Sequence, residues 1–388
     1  MMVPLKYSLR SLLARRMTMG LTVFGVVLVV FVFAAVLMLA NGLKEALVAS
    51  GSDENAIVIR ESSNTEIQSF ITHYQAGVIQ TIPEIALDPS GNPMVVGEQV
   101  VLINKNRKGT NTPANIMVRG IGPMSLSIHK GINITAGRML EFGKTEIIVG
   151  NRIRDRFEGC ELGNIITFGM TDWTIVGVFE ADGSSFESEI WGDANQSMPA
   201  FGRPVFSSMT FHMKDPALFA QIRDNLKADP RMTVEVKREK QYYDEQSRTT
   251  ATFISVLGVV ISIVFSLGAI IGAMITMYSA VANRTIEIAT MRALGFKRRS
   301  ILLAFLLESI SISIIGGALG LLAASLLQAV NISTINWDTF SDLTFRFNLS
   351  PQIIVTVMIF SVSMGLLGGF LPAVRASRTK IVEALRSE

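Results

Sequence analysis

Residues Thr249–Asn283 read TTATFISVLGVVISIVFSLGAIIGAMITMYSAVAN, a run of 35 residues without a charged side chain. As one helix this run would measure about 52 Å, which exceeds the roughly 30 Å hydrocarbon core of a bilayer by about 20 Å. The preceding segment Lys237–Arg248 is polar, contains good helix formers and lacks proline. We therefore expect a helix that begins before Thr249, crosses a membrane within 249–283 and projects outside it as a stalk that connects the outer domain to the bilayer.

Three further apolar runs have the length of a membrane span. They predict a first span at 17–43, a third at 300–330 and a fourth at 352–374. The chain is 49% hydrophobic and only 17% charged, where a soluble domain carries about 25% charged residues. The predicted fold class is a membrane protein with four transmembrane α-helices and an extracytoplasmic α+β domain.

The segment before the first span is basic and amphipathic. Residues 1–16 carry four Lys/Arg side chains, with leucines at helical spacing, which predicts a helix lying on the inner membrane surface. A cleaved signal peptide is the alternative interpretation of the first apolar run. That run is too long for a signal peptide, and Leu39-Ala40-Asn41 makes a poor cleavage site. An uncleaved anchor is therefore favoured.

Basic residues predict the orientation of the four spans. Besides the four before the first span, five Lys/Arg lie in the segment 284–299 and four in the tail 375–388. The loop 331–351 holds only Arg346. Because cytosolic loops carry the excess of Lys and Arg, both termini are expected in the cytosol and residues 44–248 outside it. The expected location is the inner membrane of a bacterium, where the lipid bilayer surrounds the spans.

Residues 44–248 resemble a mixed α/β unit. Strands are expected where apolar and polar residues alternate, at Ala56–Arg60, Met94–Ile103, Ile116–Arg119, Thr174–Phe179, Met209–Met213 and Thr233–Lys237. Helices are expected at Thr65–Ile82 and Asp215–Ala228. This order predicts a split α/β unit with an inserted β-rich subdomain at roughly 90–203. Residues 41–250 also hold 26 acidic and 21 basic residues, which argues against nucleic acid as a partner.

The chain shows no pattern for enzyme chemistry. Its single cysteine, Cys160, is interpreted as a buried thiol, and its three histidines lack the spacings of a zinc site. Gly143-Lys144-Thr145 resembles the end of a phosphate-binding loop, but Arg138 stands where that loop needs a glycine. No catalytic residue, metal ion or cofactor is expected in this chain. A membrane-anchored enzyme is an alternative that this lack of a catalytic constellation disfavours.

The segment that joins the second and third spans is the most informative. Residues 283–308 read NRTIEIATMRALGFKRRSILLAFLLE. Ile286, Ala289, Ala293 and Leu294 fall on one helical face with Thr290, and Gly295 stands where a helix can end. On composition alone, a docking helix for a partner and a plain helix at the membrane surface are equally good interpretations.

The same segment resembles the signature of the MacB/FtsX permease superfamily. The matching residues are Arg284, Glu287-Ile288, Arg292-Ala293-Leu294-Gly295 and Glu308. The tail is similar to the ending of these proteins at Leu371-Pro372-Ala373, Arg375-Ala376-Ser377 and Glu383-Ala384-Leu385-Arg386, although Thr379-Lys380 replaces their usual Asp-Pro. Three segments are similar to the MacB-type periplasmic core domain: Ala136-Gly137-Arg138, Glu146-Ile147-Ile148-Val149-Gly150 and Thr174-Ile175-Val176-Gly177-Val178.

This resemblance implies a non-catalytic permease subunit of an ABC transporter of the MacB/LolCE type. Such a subunit pairs with a second permease copy, identical or a close homologue, and binds a cytosolic ABC ATPase that holds ATP and Mg. A periplasmic adaptor protein is a further candidate partner. The implied ATPase-coupling interface comprises Arg284, Glu287, Ile288, Met291, Arg292, Ala293, Leu294, Gly295 and Phe296.

The implied work is export or extraction of lipoprotein, lipid, peptide or drug-like cargo, driven by a conformational change in the outer domain. The alternative is an FtsX-like signal relay that activates a cell-wall hydrolase. An outer domain of about 200 residues favours transport, because a docking loop needs less.

Two features inside the spans are candidate packing or functional sites. Glu308 lies deep in the third span, where an unpaired carboxylate is costly. It is interpreted either as a packing or relay acid or as the ion-pair partner of a cytosolic-side arginine such as Arg15 or Arg16. Glycines at four-residue spacing allow close helix contact, although such pairs also occur by chance. They are Gly268 and Gly272, Gly316 and Gly320, and Gly365 and Gly369.

Overall fold

A computed structural model describes residues 16–379, with side chains from Met19 onward. The helix predicted at 1–16 falls outside the described residues except for its last position, as does the tail beyond Thr379. The described chain divides into two units. A helical unit comprises residues up to Asn41, Phe253–Val330 and residues from Phe347, and an outer unit comprises Gly42–Thr252 and Asn331–Arg346.

The helices, in chain order, are α1 (Arg16–Val48), α2 (His73–Gln80), α3 (Ser125–Ile128), α4 (Asn151–Arg156), α5 (Ala194–Ala200), α6 (Phe219–Ala228), α7 (Glu239–Ala282), α8 (Thr285–Ala293), α9 (Arg298–Ser325) and α10 (Pro351–Ser377). The strands are β1 (Asn55–Arg60), β2 (Val95–Asn106), β3 (Pro113–Ile121), β4 (Asn133–Gly137), β5 (Glu146–Gly150), β6 (Ile165–Phe168), β7 (Thr171–Glu180), β8 (Glu189–Asp193), β9 (Ser208–His212), β10 (Val234–Arg238), β11 (Asn331–Ile335) and β12 (Asp342–Arg346).

Four helices, α1, α7, α9 and α10, are long and apolar enough to cross a membrane. This confirms the predicted fold class. Helix α7 has 44 residues and would measure about 66 Å at 1.5 Å per residue. It begins at Glu239, which confirms that the second apolar helix starts well before its uncharged run.

The helical unit is held together by contacts of α1 with α9 and α10, and of α9 with α10. Val30 and Ala34 of α1 are fully buried in a cluster that includes Ala324 of α9 and Val357 of α10. In addition, the Ser309 hydroxyl of α9 donates a 2.6 Å hydrogen bond to the carbonyl of Gly365 in α10. Apolar packing and polar side-chain contacts with the backbone therefore both fix these helices.

A ten-stranded mixed sheet forms the scaffold of the outer unit. Its strand order is β10-β1-β9-β2-β3-β8-β5-β7-β4, and β6 pairs with β7. Strand β2 is long enough to connect two halves of the sheet, because Val95–Glu98 pairs with β9 and Gln99–Asn106 pairs with β3. Each half has its own apolar core. One core contains Val58 and Phe211, and the other contains Trp173.

The outer unit confirms all six predicted strands and departs from the sequence interpretation in two places. The helix predicted at Thr65–Ile82 is wrong in its first half, because α2 starts only at His73. Thr72 caps α2: its hydroxyl accepts from the backbone N–H of Gln75, whose side chain accepts from the backbone N–H of Thr72. The loop expected at 331–351 contains an antiparallel hairpin of β11 and β12, in which Asn331 pairs with Arg346.

Candidate functional site

Helix α8 is a short, separate element between two long helices. It starts three residues after the end of α7, and its end is fixed by Gly295. Gly295 adopts φ +94°, a left-handed conformation that favours glycine. The N–H of Gly295 donates to the carbonyl of Arg292, and the N–H of Phe296 donates to the carbonyl of Met291. This is the Schellman pattern of helix termination, and it confirms the helix end predicted at Gly295.

One face of α8 is buried in the helical unit. Ile288 and Ala289 have no exposed surface. Ile288 belongs to an apolar cluster to which α7, α9 and α10 also contribute, and whose buried members are Met277, Val281, Ile288, Ile301, Phe305, Ala373 and Ala376. A segment that touches three long helices in one cluster can transmit a displacement to all of them.

The opposite face of α8 is exposed and partly apolar. Ile286 is 53% and Leu294 71% exposed. Between them lie the exposed residues Glu287, Thr290 and Ala293, at the spacing of one helical face. We call these five residues the exposed face of α8. The exposed basic residues 297–299 follow directly. Apolar anchors beside positive charge form a surface suited to a protein partner.

The nine residues predicted as an ATPase-coupling interface divide between these faces. Glu287, Ala293, Leu294 and Gly295 are exposed, and Ile288 is buried. The remaining four, Arg284, Met291, Arg292 and Phe296, are partly buried. Their contact with an ATPase stays a prediction, and Ile288 serves instead as a core residue of the helical unit.

Both arginines of that set contact the chain's own helices. The Nη1 atom of Arg284 lies 3.3 Å from Oε2 of Glu308 in α9. Arg292 donates a 3.1 Å hydrogen bond from Nη1 to the carbonyl of Ser377, the last residue of α10. Glu308 is therefore ion-paired from the loop after α7. Arg15 and the side chain of Arg16, the partners considered from the sequence, lie outside the described part of the chain.

Two of the three glycine pairs lie at helix contacts. A Cβ atom added at Gly320 would lie 2.8 Å from Cγ1 of Val30 in α1, and one added at Gly316 would lie 2.7 Å from Cγ1 of Val26. The other pair, Gly365 and Gly369, faces serine side chains of α9 in the same way. These four glycines permit the close approach of α9 to α1 and to α10.

The third pair, Gly268 and Gly272 of α7, faces open space. No described atom outside α7 lies within 4 Å of a Cβ added at either glycine. Both line a cavity of about 420 Å³ between α1 and α7, together with Leu21, Thr22, Phe24, Gly25, Leu28, Val29, Val264, Phe265, Ala269, Ala273 and Thr276.

A buried charge network lies inside the outer unit. Arg119 of β3 is 1% exposed and contacts Glu66 and Glu98 at 2.9 Å and Glu189 at 2.8 Å. Burial raises the pKa of Glu189, and Arg119 opposes that rise. Several hydrogen bonds per carboxylate are needed to offset the cost of burying these charges. The network joins β2, β3 and β8 to the loop before α2.

His129 extends this network to the first residue of α7. Its Nε2 atom lies 3.0 Å from Glu98 and its Nδ1 atom 3.3 Å from Glu239. Burial alone would lower the pKa of His129, but the two carboxylates outweigh burial and raise the pKa to about 10. The imidazolium thereby holds the start of α7 against the sheet.

The β11–β12 hairpin is anchored by arginines of the outer unit. Asp342, whose side chain is 1% exposed, accepts hydrogen bonds from Arg107 and, at 2.7 Å, from Nη1 of Arg156. Arg152 donates to the carbonyl of Thr344. Because β11 and β12 lie between α9 and α10 in the chain, these contacts connect the loop between two long helices to the outer sheet.

The sequence interpretation missed these two polar clusters. One signal was available for the network: Glu98 and Arg119 are charged residues within the predicted strands Met94–Ile103 and Ile116–Arg119, whose other residues are mostly apolar, and a charge that is buried there needs a partner. The hairpin anchors gave no such signal, because Arg107 and Asp342 are 235 residues apart. In the described residues no group of three or more His, Cys, Asp and Glu side chains could hold a metal ion.

Two family models match the chain. The model of the MacB-like periplasmic core domain matches residues 19–229, more than half of the chain. The model of the FtsX-like permease C-terminal region matches residues 259–381. Together they include every strand of the outer sheet except β10, the exposed face of α8, helices α9 and α10, most of α1 and the second half of α7.

Two curated relatives illustrate the similarity. The macrolide export ATP-binding/permease protein MacB of Hahella chejuensis is 24% identical over 408 residues, which cover 97% of this chain and 59% of that protein. The uncharacterized ABC transporter permease YvrN of Bacillus subtilis is 26% identical over 430 residues, which cover all of both chains. The chain thus spans about three fifths of the length of the MacB relative and the whole length of YvrN.

Two solved structures match about half of the chain. The periplasmic region of MacB from Actinobacillus actinomycetemcomitans covers 50% of this chain and 92% of its own, with 13% identity and a TM-score of 0.36. The extracellular domain of the ABC-type transporter YknZ from Gram-positive bacteria covers 47% of this chain and 99% of its own, with 15% identity and a TM-score of 0.35.

Proposed function

The chain belongs to the MacB-like family of ABC transporter permeases, with a MacB-like periplasmic core domain and an FtsX-like permease C-terminal region, and we propose that it relays ATP hydrolysis by a separate cytosolic ATPase to its outer unit. ATP and Mg are bound by that partner, and this chain contributes no catalytic group. YvrN, matched over its whole length and named as a permease alone, supports a separate ATPase chain.

The single observation that carries this proposal is the two-sided character of α8. Its exposed face offers Ile286 and Leu294 to a partner, whereas Ile288 on the other side belongs to a cluster shared with three long helices. A partner that moves α8 therefore moves α7, α9 and α10 with it. The chain passes from β10 into α7 without a break. Helix α7 is therefore one continuous helix whose first residues belong to the outer unit and whose remaining residues belong to the helical unit.

We place α8 and both termini in the cytosol of a bacterium and the outer unit in the periplasm. The basic residues that follow α8 support this orientation. A second permease copy completes the complex, and an adaptor protein is a further partner. The cargo is a lipoprotein, lipid, peptide or drug-like molecule. The outer unit has two separate apolar cores, which favours transport of such cargo over an FtsX-like signal relay to a cell-wall hydrolase.

Leu294→Glu tests the docking surface. We expect this variant to insert and fold normally but to lose its ATPase on purification, because a buried, unpaired carboxylate at an interface anchor typically costs a few kcal/mol of binding. The measurement is the ATPase content of the complex purified from membranes through a tag on the full-length chain.

The matched control is Met170→Glu in the outer unit, where the methionine is 97% exposed. We expect this control to retain the ATPase. If Leu294→Glu and Met170→Glu both retain the ATPase, that result would contradict docking through the exposed face of α8. Co-purification of a cell-wall hydrolase in place of cargo or an adaptor would favour the signal relay.

A further inference from the structure

Helix α8 carries an arginine near each end, and both side chains point into the helical unit. Arg284 directly precedes the first turn of α8, and Arg292 lies in its last turn. Both side chains are partly buried. An arginine that serves a cytosolic partner would extend toward solvent, so the direction of these two side chains needs a different explanation.

Arg284 is paired with Glu308 inside the helical unit. The Nη1 and Oε2 atoms lie 3.3 Å apart, and the two side chains are 12% and 8% exposed. Removal of one partner from a buried ion pair is far more costly than loss of a surface ion pair. The pair therefore constrains where the start of α8 lies along α9.

Arg292 binds the end of α10. The carbonyl of Ser377 belongs to the last turn of α10, where carbonyl groups lack partners within the helix and attract positive charge. Two residues earlier in α10, the guanidinium of Arg375 lies 5.6 Å from the ring centre of Tyr278 in α7. The end of α10 is thus in contact with both α8 and α7.

We propose that Arg284 and Arg292 are positioning residues that clamp the two ends of α8 to α9 and α10, rather than residues that contact the ATPase. Together with the buried Ile288 and Ala289, they set the angle at which α8 presents its exposed face. This inference rests on the proposed function in so far as that face receives the ATPase. The clamp itself is a property of this chain alone.

Because of the clamp, binding of the ATPase and coupling of its ATP hydrolysis to the permease depend on different residues. Loss of the Arg284–Glu308 pair does not change the apolar anchors Ile286 and Leu294 on the exposed face of α8, so the ATPase still binds. Helix α8 can then tilt without moving the spanning helices, and hydrolysis no longer depends on the permease. A charge exchange between positions 284 and 308 restores the pair and hence the coupling.

Cysteine accessibility in the full-length chain in membranes tests the clamp without any partner. In a Cys160→Ser background, a membrane-impermeant maleimide should label Ile286→Cys fast and Ala289→Cys slowly. Adding Arg284→Glu should raise the labelling rate at position 289 about tenfold by opening the buried face. Adding Glu308→Arg as well should lower that rate again. An unchanged rate at position 289 in the Arg284→Glu variant would overturn the clamp.

Coupling is tested on the complex with the ATPase that co-purifies with the full-length chain. We expect Arg284→Glu to retain the ATPase but to abolish the difference in ATP hydrolysis between the complex and the isolated ATPase. The exchange variant Arg284→Glu/Glu308→Arg should recover that difference. Loss of the ATPase itself from Arg284→Glu would show a docking role and overturn the proposal.

The two failures can be told apart. If no ATPase co-purifies with the unmodified chain, the proposed function fails while the labelling result still decides the clamp. If the ATPase is present and the exchange variant recovers neither protection of position 289 nor coupling, the clamp fails while the proposed function stands.

Discussion

At the scale of single residues, His129 is a buried histidine that lies between two carboxylates. Its Nε2 atom lies 3.0 Å from a carboxylate oxygen of Glu98 in β2 and its Nδ1 atom 3.3 Å from one of Glu239 in α7, and both contacts favour the doubly protonated ring. The pKa of His129 is about 10 in the folded protein, compared with 6.5 for a free histidine. Folding therefore binds a proton that the unfolded chain releases above pH 6.5.

We predict that the outer unit loses stability as the pH rises from 6.5 toward 10. The contribution of His129 is fully present below pH 6.5 and disappears as the pH passes the folded pKa, because unfolding releases a proton in this window. The measurement is thermal unfolding of the detergent-solubilised chain, followed by fluorescence of Trp173 and Trp191, which are buried in the outer unit.

The comparison variant is His129→Gln, which should be destabilised at pH 6 by about 3–5 kcal/mol, since the buried carboxylates lose their partner. Its stability should change less with pH than that of the unmodified chain. The control His73→Gln alters an exposed histidine and should leave the pH dependence unchanged. Parallel pH profiles for His129→Gln and the unmodified chain would refute the role of the imidazolium.

At the scale of helices, the glycine pairs give a matched test of packing. Gly320→Val should destabilise the helical unit by about 1–3 kcal/mol, because a Cβ atom there would lie 2.8 Å from Val30 and 2.9 Å from the carbonyl of Val27. Gly272→Val should be tolerated within the chain, because its side chain enters the open cavity between α1 and α7. The measurement for both variants is thermal unfolding of the monomeric protein in detergent. Equal losses in the two variants would argue against this packing.

The β11–β12 hairpin provides a prediction for a strand element. Asp342→Asn removes the charge that binds Arg107 and Arg156, so the hairpin should detach from the outer sheet. Quenching of Trp337, which is in this hairpin, by the neutral quencher acrylamide should increase. Asp338→Asn in the same hairpin is the control and should leave the quenching unchanged. Equal quenching in the Asp342→Asn variant and the unmodified chain would contradict the anchoring role.

Elements that depend only on neighbouring residues in the sequence were predicted correctly. The apolar run of α7 and the alternation of β1 and β9 each depend on neighbouring residues, so their prediction succeeded. The signal for β8 was absent: Glu189–Asp193 is buried throughout and does not alternate. The early start assigned to α2 ignored Thr72 and Gln75, whose spacing marks a helix N-terminus.

The candidate site was predictable only as a segment. Residues 284–296 were identified from the sequence, and so was the helix end at Gly295. The inward direction of Arg284 and Arg292 was not predictable, because their partners Glu308 and Ser377 are 24 and 85 residues away. Burial of Ile288 likewise depends on α7, α9 and α10, which are brought together only in the folded chain.

At the scale of the whole molecule, we propose a relay. In this proposal the ATPase acts on the exposed face of α8, the clamp passes the displacement to the long helices, and α7 and the β11–β12 hairpin carry it to the outer unit. The hairpin provides a second connection beside α7, because it lies between α9 and α10 in the chain. A rigid helix and an anchored hairpin transmit displacement better than flexible linkers do.

The most direct test of this relay is a distance between the outer unit and the helical unit in the ATPase-bound complex. Spin labels at Met170→Cys and Leu326→Cys, both exposed positions, in a Cys160→Ser background report that distance by pulsed electron resonance. The proposed relay predicts that the distance distribution changes when ATP and vanadate trap the ATPase, and that Leu294→Glu abolishes the change. Identical distributions with and without trapped nucleotide would contradict it.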